Sequence, residues 1–391
     1  MWSVSRRQAL AGLSAVTGWL AGGGRWASAA MEALPGKWGL RRLTHRPPNY
    51  ETPLRYFRSV LTPNEAFFVR YHHAVIPAVD PADYRLEVTG PALARPISLD
   101  LRALRNDFEP VELVAVCQCS GNRRGLFDPP VPGLQWGHGA MGNARWRGVR
   151  LADVLARAEL SAAAIEIEFD AADAAPLEGT PDFIKSLPRA KALHPDTLLA
   201  YEMNGAPLPE SNGFPLRLIV PGWTATYWIK HLTRIAALDA PARGFWMANA
   251  YRLPRSAFPF VERFPSQESG ERAPVTEIAI NSLITSVDEG GRVSAGAMLE
   301  GIAWDAGHGV DRVEVSFDRG GSWQRAELGD NLGRYSFRSW RLPLAQRQPG
   351  RCEAWVSATN RVGQTQLEQP IPNPSGYQHN AFHRVVFEVG A

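Results

Sequence analysis

Val111-Glu112-Leu113-Val114-Ala115-Val116-Cys117-Gln118-Cys119-Ser120-Gly121-Asn122-Arg123-Arg124-Gly125 opens as a hydrophobic strand, Val111 to Val116, and closes on a Gly-Asn turn. The strand delivers a thiol, Cys119, to a turn with Arg123 and Arg124 behind it. Nearby cations lower a thiol's pKa and favour the thiolate, the form that binds soft metals. Read from these residues alone, Cys119 is a metal-binding or nucleophilic cysteine. The alternative is a small buried thiol beside a surface arginine pair. No Cys or His partners stand at finger spacing, which argues against zinc.

Outward from this strand the pattern is mixed. Tyr84-Arg85-Leu86-Glu87-Val88 alternates as a strand and stops at Gly90-Pro91. Leu151, Val154, Leu155 and Ala158 share one face of a helix predicted over Leu151 to Leu160. Ile165 to Phe169 alternates again, and Leu216 to Val220 is a strand running into Pro221-Gly222. Helices and strands interleave, so this region is α+β. The chain turns polar between Arg263 and Pro274, and a domain boundary is placed there. Beyond it the alternation is almost all strand: Val313, Val315 and Phe317 face one way, Arg319-Gly320-Gly321 makes a hairpin turn, and Cys352 to Ala358 alternates. Strands at this spacing predict an all-β, immunoglobulin-like sandwich over 274–391. Before the mixed region, 30–61 is rich in Pro, Arg and Asn and reads as an extended N-terminal arm. The α+β domain then occupies 62–265.

The chain has 391 residues, 45% of them hydrophobic, enough for two domains. A net charge of +3 does not point to nucleic acid or to a polybasic membrane patch. Its 35 glycines and 31 prolines fit many short strands joined by turns. Three cysteines, Cys117, Cys119 and Cys352, make no disulfide framework. Residues 1–29 have the layout of a signal peptide: Arg6-Arg7, a modest apolar stretch from Leu10 to Ala21, and Ala27-Ser28-Ala29 as a cleavage site. The paired arginines fit the twin-arginine kind, which exports folded chains, rather than the Sec kind, which exports unfolded ones. A periplasmic protein that must first receive a large cofactor needs the folded route.

Cys119-Ser120-Gly121-Asn122-Arg123-Arg124 resembles the cysteine signature of the sulfite oxidase family of molybdopterin enzymes. Phe67-Phe68-Val69-Arg70-Tyr71-His72 resembles that family's Phe-Phe-x-Arg-x-His segment. Ala200 to Gly205, Asn212 to Arg217 and Val220-Pro221-Gly222 resemble its pterin-binding stretch. Trp246 to Tyr251 resembles the segment carrying its active-site tyrosine, and Asn380 to Val385 the end of its second domain. Within the family, the likeness runs to the catalytic subunit of bacterial sulfite:cytochrome c oxidoreductases. The resemblance implies one molybdenum–molybdopterin cofactor per chain, with Cys119 as the protein ligand to the metal and no haem in this chain. It implies that Arg70, Arg124 and His72 line the substrate pocket and that Tyr251 hydrogen-bonds the substrate. Phe68, Val69, Arg70, Tyr71 and His72 fall at cofactor-binding positions, as do Asp173, Asn212, Arg217, Trp228, Ile229 and Lys230. Guanidinium forks suit a small dianion such as sulfite.

Two positions depart from the animal pattern. Asn212 replaces a histidine, and Ser375 replaces an arginine near the substrate, leaving one cation fewer for which His72 is expected to compensate. His72 and His73 are adjacent, so strand alternation sends one inward and the other to solvent. His45, His138, His194, His231, His308, His379 and His383 have no ligand-like spacing and read as structural. The expected electron acceptor is a c-type cytochrome, as a bound subunit or a soluble carrier, steered by Arg123 and Arg124 toward an acidic partner. A heterodimer or a homodimer is consistent with the pattern. Two other enzymes of this kind are rivals, the first of them poorly separated by sequence. One is the sulfur dehydrogenase subunit of thiosulfate-oxidising complexes; the other is a periplasmic methionine sulfoxide reductase-like molybdoenzyme, which resembles the first domain alone. A secreted adhesion or binding module is suggested only by the sandwich.

Overall fold

A computed structural model describes residues 34–390 apart from 176, 260, 268 and 345–348. The signal peptide expected over 1–29 lies outside the described residues. The first domain is built on two five-stranded sheets. In one, Ala206–Pro207, Leu198–Met203, Met141–Arg150 and Val111–Gln118 lie side by side, with Arg217–Ile219 also pairing Leu198–Met203. Its pairings are antiparallel, and Cys117 stands opposite Gly142. A Cβ on Gly142 would sit 2.4 Å from the Phe67 ring, so only glycine lets that ring close over the strand. The other sheet runs Ile97–Leu99, Leu86–Thr89, Leu232–Leu238, Glu166–Ala171, Lys185–Pro188. Leu86–Thr89 pairs parallel with Leu232–Leu238, because the chain leaves the sheet and crosses back before completing it. Leu86, Val88, Ile167, Phe169, Ile235 and Ala237 are buried by this alternation and join one core with Leu151, Val154 and Leu155.

Two short helices cover that core. Asp100 caps Leu101–Asn106, its carboxylate accepting from the Ala103 N–H at 2.7 Å. The helix predicted over Leu151 to Leu160 ends at Arg157. Glu159 takes a left-handed backbone, φ 56°, and Leu160 leaves to bridge Leu93, so tertiary pairing overrides helical spacing there. The segment read as an extended arm is woven into the domain. Arg41–Thr44 pairs Asn49–Glu51, which pairs Val69–Arg70. Among the described residues no helix is long and apolar enough to cross a membrane.

The second domain is the expected all-β sandwich. Asn281–Ile284, Met298–Trp304, Arg338–Pro343 and Glu327–Leu328 form one sheet. Arg292–Val293, His383–Val389, Gly350–Asn360, Val310–Ser316 and Gln324–Arg325 form the other. Val313, Val315, Leu299, Trp340, Ala354, Val356, Val385 and Phe387 fill the space between them. The sandwich buttresses the cysteine strand directly. The Val116 N–H donates to the Tyr335 carbonyl at 2.9 Å, and the Trp304 indole N–H to Gln118 Oε1 at 2.7 Å. Val116 and Met141 share an apolar cluster with Ile278, Leu283, Ile302, Trp304 and Phe337.

The buried histidines tie this packing to pH. Burial holds His231, His379 and His383 at about 3, against an ordinary 6.5. Each binds a proton near pH 6.5 when unfolded but not when folded, so unfolding takes up protons as pH falls below that value. Stability is therefore lost as pH drops from about 6.5 toward about 3, by about 1 kcal/mol per imidazole for the first unit. The buried carboxyls of Glu51 and Asp173 are raised and act in the opposite sense at lower pH. Melting at about pH 5.5 is expected to fall several degrees below that at about pH 7.5 in scanning fluorimetry. An unchanged midpoint would show that these imidazoles are not held neutral.

Candidate active site

Cys119 sits one residue past the end of Val111–Gln118. Its N–H donates to the Ala140 carbonyl at 2.9 Å, and its own carbonyl accepts from the Asn122 N–H at 3.0 Å. Asn122 Oδ1 accepts from the Ala140 N–H at 3.0 Å, so the turn is pinned to the strand beside it. Ser120 Oγ donates to Thr224 Oγ1 at 2.9 Å, tying the turn to the loop after Arg217–Ile219. The thiol is thereby held at the wall of a cleft of about 700 Å³, counted with its open mouth. Cys117 lies two residues earlier, on the same strand face and 1% exposed. Burial pushes its thiol up to about 11, opposed by Arg217, whose Nη2 donates to Sγ at 3.7 Å. Cys117 is thus a protonated wall residue whose sulfur helps to orient Arg217.

The cleft is lined by Phe68, Arg70, Tyr71, His72, Cys119, Asp173, Asn212, Arg217, Trp228, Ile229, Lys230 and Tyr251. The sequence singled out each of these, and folding brings them together from six separated stretches. Val69 does not reach the cleft: the strand turns it into the core, 1% exposed. Arg124 lies behind the lining. Its Nε donates to the Ser375 carbonyl at 2.7 Å and its guanidinium lies 5.1 Å from the Tyr377 ring, which stacks on Tyr251 at 5.6 Å. Sequence reasoning missed Phe183, Ser211, Thr226, Lys185 and Lys37. Lys185 is 1% exposed beneath the aromatic wall, its Nζ donating to the Trp246 carbonyl at 2.7 Å, and burial lowers it to about 7. A lysine at alternating strand spacing carries no signal of such a place.

At one end of the cleft stand cations. Arg217 Nη1 donates to the Asn212 carbonyl at 2.8 Å, and its guanidinium lies 5.0 Å from the Trp146 ring. Lys230 Nζ donates to the Arg70 carbonyl at 2.9 Å and rests over Tyr71. Burial presses Lys230 downward and Asp173 upward, toward their neutral forms, while their mutual attraction opposes both shifts. At the other end, His72 Nε2 and Tyr251 Oη are 2.5 Å apart. His72 stacks on Phe183 at 3.9 Å and meets the edge of Trp246 at 4.7 Å. Burial raises the Tyr251 phenol above its ordinary value, against the pull of Arg70, so it remains a hydrogen-bond donor.

Several expectations change here. His72 does not replace the missing cation. Burial, with the charges of Arg70 and Lys230, holds it well below 6.5 and therefore neutral. His73 is not solvent-facing but 3% exposed. The strand ends at Arg70 and the chain bends, so alternation no longer governs the two rings. Arg123 and Arg124 do not offer charge to a docking partner, being 2% and 9% exposed. Arg123 Nη1 reaches Asn281 Oδ1 and the Ala381 carbonyl, both at 2.7 Å, locking the cysteine turn to the sandwich.

The donor set fits a phosphorylated pterin bearing a soft metal. The buried Arg217 Nε and Ser211 Oγ have no protein partner. Arg70, Arg217 and Lys230 outnumber Asp173 along the lining. Among the described residues no cluster of His, Cys, Asp or Glu is arranged to hold a metal by protein ligands alone, which fits a metal that would arrive with its cofactor.

Comparison with known proteins agrees. Residues 73–246 match the oxidoreductase molybdopterin binding domain, and residues 272–390 the Mo-co oxidoreductase dimerisation domain. Sulfite oxidase of Gallus gallus is 36% identical over 362 residues, covering 88% of this chain and 77% of that protein. Mitochondrial sulfite oxidase of Drosophila melanogaster is 35% identical over 375 residues, covering 90% of this chain; the chain spans 63% of its length. The sulfane dehydrogenase SoxCD from Paracoccus pantotrophus shares the fold, with a TM-score of 0.75 at 22% identity over 95% of this chain and 97% of that one. The two matched domains follow one another along most of this chain, and with these identities they show that the chain belongs to the sulfite oxidase family of molybdopterin oxidoreductases.

Proposed function

We propose that the protein oxidises sulfite to sulfate and passes the electrons to a c-type cytochrome, as the catalytic subunit of a bacterial sulfite dehydrogenase. The observation that carries this reading is the cleft's make-up: Arg70, unpaired with any carboxylate in its hydrogen bonds, lines the same cleft as Cys119 and the linked His72–Tyr251 pair. When bound, the cofactor supplies the two-electron redox step and the oxygen that is transferred. Asp173, Asn212, Arg217, Trp228, Ile229 and Lys230 would hold its pterin and phosphate, and Cys119 its metal. Arg70 presents a fixed positive fork to the incoming dianion. Neutral His72 holds the Tyr251 phenol in one orientation, so that its O–H is directed without adding charge. Phe183 and Trp246 pack around that pair and keep water from it.

Steady-state assay of molybdenum-loaded protein with sulfite and cytochrome c tests the reading. Sulfite-dependent cytochrome reduction supports it; fully loaded protein without it removes it. Turnover of protein-bound sulfane sulfur or of methionine sulfoxide instead would assign one of the rival substrates. The sandwich is proposed to form the contact with a second subunit, in keeping with the dimerisation domain it matches.

Export to the periplasm by the twin-arginine route rests on Arg6-Arg7 and Ala27-Ser28-Ala29. Arg6→Lys with Arg7→Lys is expected to strand loaded enzyme in the cytoplasm. Continued export of active enzyme from that double variant would rule this route out.

A further inference from the structure

Lys37 lies far from every motif, yet its side chain is buried, 6% exposed, behind the cofactor end of the cleft. Its Nζ donates to the Phe67 carbonyl at 3.1 Å, to the Asn64 carbonyl and to Asn212 Oδ1. An ammonium has three N–H donors, and all three are used. The acceptors belong to different walls. Asn64 and Phe67 lead into the Phe67–His72 run that lines one side. Asn212 belongs to the other side, donating from Nδ2 to the Phe68 carbonyl at 3.1 Å and accepting Arg217 Nη1 on its own carbonyl at 2.8 Å.

The charge is the informative part. None of the three acceptors is a carboxylate. Glu65 attracts Lys37 from beyond hydrogen-bond reach, Arg217 repels it, and burial lowers it to about 7. A buried ammonium without a bonded counter-ion costs stability in the chain by itself. Lys37 and Arg217 converge with Lys230 on a region where, among the described residues, Asp173 is the only acid in the lining. A multiply charged anion would balance that excess of positive charge, and the phosphate of molybdopterin is such a group.

We propose that Lys37 is a positioning residue for the cofactor: it pins the two walls of the pterin site together and adds positive charge that the bound phosphate neutralises. It touches neither substrate nor metal. Its effect is carried through Asn212 and Arg217, which line the cleft.

The test compares apoprotein, made in a host unable to assemble the cofactor, with holoprotein, for the wild type, Lys37→Met and Lys37→Gln. Apoprotein Lys37→Met is expected to melt close to the wild type, because removal of an uncompensated charge offsets the loss of its three hydrogen bonds. The rise in melting temperature on cofactor binding is expected to shrink, since that rise reports affinity for the folded state. Molybdenum and pterin are expected to dissociate at least about tenfold faster from Lys37→Met. Lys37→Gln keeps a hydrogen-bonding amide without charge and is expected to behave like Lys37→Met in retention. Two outcomes overturn the proposal. One is apoprotein Lys37→Met that melts well below the wild type while the cofactor increment is unchanged, which makes Lys37 a purely structural bridge. The other is wild-type retention in both variants. Neither readout involves sulfite, so failure of the substrate reading and failure of this one are distinguishable.

Discussion

Replacing Cys119 with serine is expected to abolish sulfite-dependent turnover in protein that still folds. Serine keeps the backbone turn, whose hydrogen bonds to Ala140 and Asn122 involve main-chain atoms of residue 119. It removes the soft thiolate and offers a harder oxygen, protonated at neutral pH, which is a poor ligand for this metal. Residues that only orient a metal's ligands typically cost about 10–100-fold when removed, so loss of the ligand itself is expected to exceed that range. Cys117→Ser makes the matching control. Its sulfur is 1% exposed and accepts from Arg217, and a hydroxyl can accept the same N–H. Burying that hydroxyl costs about 1–2 kcal/mol of stability. Turnover per bound molybdenum is expected to stay near the wild type. Both variants are to be read by metal content and kcat together; equal loss at both positions would contradict the choice of Cys119.

Arg70→Met is expected to raise KM for sulfite by more than about tenfold while lowering cofactor content less. A desolvated charge contact is worth about 2–5 kcal/mol, and a tenfold change in affinity corresponds to about 1.4 kcal/mol. Arg70 is half-buried at the cleft, so the lower part of that range applies. Its guanidinium is steadied by Asn49 Oδ1 at 3.5 Å and by the Tyr71 carbonyl, and neither partner is an acid that would neutralise it. Methionine preserves the stem's packing. It also removes one of the charges that hold His72 neutral, so the imidazole's pKa is expected to rise in the variant. An unchanged KM would place Arg70 outside the path of the substrate.

Much of this site was legible in the chain. The strand that leads to Cys119 carries its own local instructions: a hydrophobic run from Val111 to Val116, then Gly121 and Asn122 for the turn. The sandwich was legible for the same reason, since the alternation of Val313 and Val315 with Arg312 and Glu314 states which side faces inward, whereas Cys352 to Ala358, read as alternating, is buried on both faces from Ala354 onward. The lining residues came from ordered motifs, and the fold gathers nearly all of them into one cleft.

What the sequence by itself determined is therefore the set of elements and the chemical groups they bear: a thiol after a buried strand, a guanidinium at Arg70, a phenol at Tyr251, an all-β second domain. The tertiary structure decided where the charges stand and which of them persist. Arg123 and Arg124 read alike in sequence, yet one is spent on Asn281 and Ala381 in the sandwich and the other on the Ser375 carbonyl. His72 and His73 both turn inward because the strand stops at Arg70. His72 is neutral, and Lys37 and Lys185 are drawn to about 7, through burial among partners distant in the chain. Local periodicity is written in neighbouring residues. Desolvation depends on every element packed around a group, and so it exists only once the chain has folded.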